Sequence, residues 1–230
     1  MHKFTFWARE SGAKVHNYVI SGLFHLVLFF RLCSNTPMIR YILIDLDNTL
    51  YPASSGLDRE IDRLMTLFVA DYLRISREDA HYLRRTNAVP YGTTLQWLRM
   101  EFGFHDLDRY FEAVHPRNVE DYIPYDPLLP ETLDAIALPK AVLTNSPMEH
   151  ADRVLARLGV ADRFSRVFDI RYNRFQGKPY QETYRGVVRD LGQDIENVLF
   201  VDDMPRYLHP FRDLGGRGLL LDEEIGRANV

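Results

Sequence analysis

Two aspartates separated by one leucine, Asp45-Leu46-Asp47, directly follow the apolar run Tyr41 to Ile44. Carboxylates this close repel, so keeping both ionised takes a cation or a proton shared between them. A second acidic pair, Asp202-Asp203, ends the apolar run Val198 to Val201. Mg²⁺ is a hard cation that takes carboxylates, carbonyls and water, and Asp202 brought beside Asp45 would complete such a site. A third apolar run ends in Thr144-Asn145-Ser146-Pro147. There Ser146 suits a helix N-cap and Pro147 the first helical position. The free N–H groups and positive dipole end of that helix suit a phosphate. Lys178, between Gly177 and Pro179, precedes another helical pattern; its ammonium could offset a phosphate dianion and an attacking carboxylate together. Singly, each feature has an ordinary explanation: an acidic turn, a capped helix, a solvated lysine. Gly177-Lys178 lacks the remaining residues of a P-loop. It is their shared place at the ends of apolar runs that points to one site.

These runs are the elements that would hold the site. Arg40 to Asp45 reads as a buried strand, as do Lys140 to Thr144, Arg166 to Ile170, Asn197 to Val201 and Gly218 to Leu221. Between them lie helical patterns from Glu149 to Leu158, Tyr180 to Leu191 and Pro205 to Leu214, each followed by a glycine that suits a helix stop. Alternation of this kind predicts a parallel sheet covered on both faces, and ligands bind at the carboxyl ends of such strands. From Leu57 to about Asp121 the alternation stops, and only helical runs appear: Leu57 to Leu73, Arg77 to Arg85 and Thr93 to Phe102. The expected division is an N-terminal extension (1–37), a core (38–55 and 127–230) and an all-helical insertion (56–126).

Bulk composition narrows the partners. The 230 residues carry a formal charge of −4 and are 46% hydrophobic, so there is no electrostatic footprint for a nucleic-acid polymer. Cys33 is the only cysteine, which excludes an internal disulfide and a thiolate zinc site. The eight histidines show no HExxH spacing, so any metal is expected on oxygen ligands. The apolar run Val19 to Phe30 is shorter than the roughly 20 residues of a spanning helix. Arg31 to Ser34 makes a poor signal-peptide cleavage site. Residues 1–37 are therefore expected outside the fold, with Met38 as an alternative start and a cytoplasmic location; membrane association through residues 19–30 is the alternative.

In chain order, DLDNTLY (Asp45 to Tyr51), TNS (Thr144 to Ser146), GKP (Gly177 to Pro179) and FVDD (Phe200 to Asp203) resemble the four motifs of the haloacid dehalogenase superfamily. The resemblance implies an α/β doubly wound parallel sheet, the Rossmannoid core of that superfamily, with the insertion as its type 1 cap. It implies a Mg²⁺-dependent phosphomonoester hydrolase acting on a small-molecule phosphate ester. Asp45 would attack phosphorus and form an aspartyl-phosphate. Asp47 would protonate the leaving alkoxide and then activate water, with its pKa raised by Asp45. Thr144, Asn145 and Ser146 would hold the phosphoryl oxygens, with Lys178 bridging phosphate and nucleophile. Mg²⁺ would sit on Asp45, the backbone carbonyl of Asp47, Asp202 and, through water, Asp203. An acid at position 47 also separates phosphatases from true dehalogenases, which have no alkoxide to protonate.

Tyr51 and the stretch Tyr91-Gly92-Thr93-Thr94 look most like the pyrimidine 5′-nucleotidase subgroup. That makes UMP or CMP the expected substrate, with Tyr51, Tyr91, Thr93 and Thr94 facing the leaving group. Tyr91-Gly92 also fits a plain turn, and Thr93 an N-cap. A phosphatase for small sugar or other metabolite phosphates is the alternative within the chemistry. A non-catalytic phospho-ligand binder or membrane-tethered interaction protein is the alternative outside it. Related sequences tend to carry Asn or Asp where this chain has Tyr207, which puts a contact of the outer metal shell in question.

Overall fold

The computed structural model describes residues 39–222 together with two short strands nearer the N-terminus. In chain order the strands are β1 (Lys3–Trp7), β2 (Tyr18–Ser21), β3 (Tyr41–Ile44), β4 (Lys140–Leu143), β5 (Arg166–Phe168), β6 (Val198–Asp202) and β7 (Arg217–Asp222). The α-helices are α1 (Leu57–Leu73), α2 (Arg77–Asn87), α3 (Thr94–Phe102), α4 (Leu107–Val114), α5 (Leu128–Asp134), α6 (Met148–Leu158), α7 (Gln181–Asp190) and α8 (Pro205–Asp213).

The sheet order is β2-β1-β7-β6-β3-β4-β5, and the five strands from β7 to β5 run parallel. Side chains alternate across them. Ile42, Ile44, Val142, Leu199 and Val201 join α5 and α6 on one face, whereas Tyr41, Leu43, Leu143, Val198 and Phe200 join α7 and α8 on the other. Both faces are thus buried, as the near-continuous apolar strands require. The expected doubly wound sheet is what the chain forms. At the end of α6, Gly159 takes the left-handed conformation at φ 68° and closes the helix.

Residues 1–37, expected outside the fold, contribute β1 and β2, which add antiparallel to the free edge of β7. An open strand edge presents unpaired N–H and C=O groups that another strand can satisfy. The rest of that segment, with most of the apolar run from Val19 to Phe30, Cys33 and the alternative start Met38, lies outside the described residues. Among the described residues no helix is long and apolar enough to cross a membrane.

The insertion between β3 and β4 holds α1 to α4, packed around a hydrophobic cluster of their own that includes Phe68, Leu95, Trp97, Leu98, Phe104, Tyr110 and Phe111. Side-chain caps start three of its four helices: Ser76 accepts from the Asp79 amide at 3.0 Å, Thr93 from Gln96 at 3.1 Å and Asp106 from Arg109 at 3.2 Å. Ile170 and Phe175, from the connection after β5, pack into the same cluster and dock the cap on the core.

Candidate active site

The first parallel strand of the core lies between β4 and β6, so its carboxyl end sits where the connections part to opposite sides of the sheet. Such a switch point opens a crevice. Register then sets the neighbours. Ile44 pairs with Val201, and the Asp45 amide donates to the Val201 carbonyl at 2.9 Å, which sets Asp45 level with Asp202. Oxygens of Asp45, Asp202 and Asp203 all lie within 4.8 Å of one another.

Lys178 closes the cluster. Its Nζ lies 2.6 Å from Asp45 Oδ1 and 2.7 Å from Asp202 Oδ2, and the side chain is 1% exposed. Burial disfavours the ammonium, but the two carboxylates outweigh it and hold the lysine above its ordinary range. Burial also lifts Asp45 and Asp202 above the usual carboxylate range, with Lys178 acting the other way. Burial and the charge of Asp45 push Asp203 up to about 7. One ammonium among two buried carboxylates and the half-buried Asp203 leaves an excess of negative charge on oxygen donors alone. That donor set fits a hard dication.

Asn145 braces the lysine loop: its Oδ1 accepts the Lys178 amide at 2.8 Å and its Nδ2 donates to the Lys178 carbonyl at 2.9 Å. This approach needs glycine at 177, where a Cβ would lie 2.0 Å from Asn145 Oδ1. Asn145 therefore holds Lys178 rather than offering its amide outward. Thr144 is buried on the cavity wall, its hydroxyl accepting from the Ser146 amide at 3.0 Å.

Ser146 is not the N-cap of α6, contrary to the sequence expectation. The helix begins at Met148 with Pro147 as cap residue, and Asp169 Oδ2 accepts the Met148 amide at 3.1 Å. The Ser146 hydroxyl instead donates to Asp47 Oδ2 at 2.7 Å. The helix after Lys178 starts at Gln181, one residue past the Tyr180 where its pattern begins.

Asp47 differs from expectation in its electrostatics. Burial pushes its carboxyl up, but His150 beside it, together with hydrogen bonds from His150, Tyr51 and Ser146, holds it well below the ordinary range. Oδ1 receives Tyr51 OH at 2.6 Å and His150 Nε2 at 2.8 Å. Asp45 does not govern this pKa, because the three donors, two of them distant in sequence, outweigh it. His150 is fully buried in the first turn of α6, and its ring centroid lies 4.9 Å from that of His115, at the end of α4. The sequence reading missed His150. Its signal was a histidine on the core-facing stripe that continues through Ala151, Val154, Leu155 and Leu158.

Above these groups lies a cavity of about 370 Å³ between core and cap, in the range of small-ligand sites. Its walls include Asn48, Asp58, Asp62, Arg84, Arg85, Thr93 and Thr94. Thr93 caps α3 and Thr94 receives Arg84 Nε at 3.3 Å, yet both also line the cavity. Tyr91 turns its hydroxyl to Glu101, and Tyr51 is occupied with Asp47; neither lines the cavity. Asn48, in the left-handed conformation at φ 61°, reaches Asp58 and Asp203 with hydrogen bonds, while its Oδ1 is without a partner. Tyr207 lies against Lys178, whose Nζ is 4.8 Å from the ring centroid, and its hydroxyl accepts Arg206 at 2.8 Å.

Comparison with known proteins places the family and the fold. Residues 39–206 match the family described as haloacid dehalogenase-like hydrolase. The chain is 32% identical over 190 residues to N-acetylmuramic acid 6-phosphate phosphatase of Pseudomonas aeruginosa, covering 77% of this chain and 79% of that protein. The L-2-haloacid dehalogenase of Xanthobacter autotrophicus shares the fold with a TM-score of 0.51 at 20% identity, over 79% of this chain and 76% of that one. A magnesium-bound hydrolase of Bacillus subtilis superposes with a TM-score of 0.52 at 15% identity, over 79% and 86% of the two chains. The motif-bearing strand ends, the helical cap and a family match spanning most of the chain lead to one assignment: this protein belongs to the haloacid dehalogenase-like hydrolases.

Proposed function

We propose that the chain is a Mg²⁺-dependent phosphomonoesterase working through an aspartyl-phosphate, and that its substrate is a small sugar phosphate. The core (38–55 and 127–230) would carry the chemistry and the insertion (56–126) would select the leaving group. The observation that carries the chemistry is Lys178 held between Asp45 and Asp202, beside an Asp47 held by three donors.

Asp45 attacks phosphorus through a carboxylate oxygen, and the ester P–O bond breaks with its electron pair on the leaving oxygen. Asp47 gives that oxygen a proton, then takes one from the water that hydrolyses the aspartyl-phosphate. The dianion of a bound phosphate ester adds negative charge beside Asp47, opposing the effect of His150 and favouring the acid form. Lys178 offsets charge on the nucleophile and the phosphoryl group. Amides following Thr144 would orient the phosphoryl oxygens. Asp45, Asp202, Asp203 and the backbone carbonyl of Asp47 would hold Mg²⁺, which when bound supplies charge neutralisation for an anionic substrate.

Support for a sugar comes from the 32%-identical phosphatase, whose substrate is a phosphorylated sugar derivative, and from the cavity wall. Asp58 and Asp62 stand on that wall, acceptors that suit hydroxyl groups. This favours the alternative over the pyrimidine nucleotide first expected; Thr93 and Thr94 on the wall are what support the nucleotide. A panel of sugar 6-phosphates, N-acetylated sugar phosphates, UMP and CMP, assayed by phosphate release with Mg²⁺, tests the assignment. Higher kcat/KM on UMP or CMP than on every sugar phosphate would overturn the sugar reading. Release that persists in Asp45→Asn would overturn the mechanism.

A further inference from the structure

Asp47 has two carboxyl oxygens, and they are not equivalent. An sp² oxygen accepts along two lone-pair directions. Oδ1 has both filled, by Tyr51 OH at 2.6 Å and His150 Nε2 at 2.8 Å. Oδ2 has one partner, the Ser146 hydroxyl at 2.7 Å. A proton on the carboxyl group has room on Oδ2 and none on Oδ1. The group that saturates Oδ1 is itself immobile: His150 has no exposed surface, its ring lies against His115, and His115 Nδ1 is 3.1 Å from the Phe111 carbonyl of α4. His150 Nδ1 finds no partner, so the imidazole's one polar contact is with Asp47.

We infer that His150 is a positioning residue for proton delivery: with Tyr51 it pins Oδ1 of Asp47, so that Oδ2 alone carries the proton to the leaving oxygen. This rests on the phosphatase reading above and concerns only the step in which the ester bond breaks. In that step the P–O bond's electron pair goes to the leaving oxygen, and the proton moves from Asp47 Oδ2 to the same oxygen. Without His150, Oδ1 regains a free lone pair and the carboxyl group can turn. The proton then spends time on Oδ1, which faces Tyr51 off the cavity wall, rather than on Oδ2 beside the cavity-lining Ser146. The ion pairs of Lys178 run to Asp45 and Asp202 and that of His150 to Asp47, so nucleophilic attack keeps its machinery.

The consequence is a dependence on leaving group. An alkoxide needs the proton as it departs, whereas a nitrophenolate leaves with little help. General-acid assistance contributes about 10²–10⁴-fold, and misplacing a catalytic group costs about 10²-fold. The test measures kcat/KM, which reports the ester-cleaving step, for p-nitrophenyl phosphate, phenyl phosphate and the alkyl phosphate that the parent turns over best. In His150→Leu the ratio of kcat/KM for p-nitrophenyl phosphate to that for the alkyl ester should rise about 10²-fold over the parent. His150→Gln, which keeps an N–H near the position of Nε2, should restore most of the parental ratio. Tyr51→Phe removes the other donor to Oδ1 at nearly constant volume and should raise the ratio in the same sense, which covers the case that His150→Leu does not fold. If kcat/KM falls by one common factor across all three esters in the folded variants, the inference is overturned and His150 is structural only. If the parent releases phosphate from none of the esters, the phosphatase reading fails and takes this inference with it.

Discussion

Replacing Lys178 by methionine removes the one ammonium from a site whose carboxylates stay in place. The side chain is 1% exposed and its Nζ touches Asp45 at 2.6 Å and Asp202 at 2.7 Å. At an effective dielectric of about 20, each attraction is worth roughly 6 kcal/mol before desolvation is charged against it. Desolvation of three ions offsets most of that gain, so the net worth of the pairs is modest. The loss on substitution is not modest, because two buried carboxylates are left facing one another, and breaking a buried pair costs about 3–5 kcal/mol. Urea unfolding with a chelator present should show a drop of that size in Lys178→Met. Adding Mg²⁺ should return more stability to the variant than to the parent, since the cation replaces the missing charge; binding at about 100 Kd contributes about 2.7 kcal/mol. Lys178→Met combined with Asp202→Asn, with one fewer charge to bury, should be more stable than Lys178→Met alone. A loss under about 1 kcal/mol, or an equal response of parent and variant to Mg²⁺, would refute the electrostatic account of the cluster.

Gly177→Ala places a methyl group 2.0 Å from Asn145 Oδ1 and 2.8 Å from Ile170 Cδ1. Overpacking of that kind should cost about 1–3 kcal/mol in urea unfolding and lower kcat by displacing Lys178. Burial depresses His115 from 6.5 to about 3, so the unfolded chain binds more protons below pH 6.5 and stability is lost as pH falls from there toward 3. Between pH 7 and 5 this one group should remove about 2 kcal/mol, measured as the difference in unfolding free energy between the parent and His115→Gln, in which that loss is absent.

Much of the core is readable along the chain because its strands are short, apolar and closed by acids or by Thr144-Asn145. Helix α1 is Leu57–Leu73 as the periodicity predicts, and glycine ends α6 at Gly159. Contacts between residues distant in sequence are harder to read. Ser146 has the composition of an N-cap, but its hydroxyl is taken by Asp47, 99 positions away. Asp47 looks like a carboxyl raised by its near neighbour Asp45, yet His150, 103 positions on, holds it down. Asn145 reads as a phosphate ligand until the loop carrying Lys178 folds against it. The strands β1 and β2 escape notice because they are only five and four residues long and take their pairing from each other and from the free edge of β7. In each case, local propensity was outweighed by a partner that only the tertiary fold supplies.

The connection from Asp169 to Lys178 serves two masters. Arg171 reaches Asp108 of α4 and Glu149 of α6, both at 2.7 Å, and Phe175 lies under the guanidinium of Arg99, 4.8 Å from its ring centroid. A few residues later the same stretch delivers the ammonium to Asp45. The seat of the helical insertion and the arm that bears Lys178 are thus one piece of backbone. A load placed on α3 or α4 by a bound group would be carried along this stretch to the ammonium of Lys178.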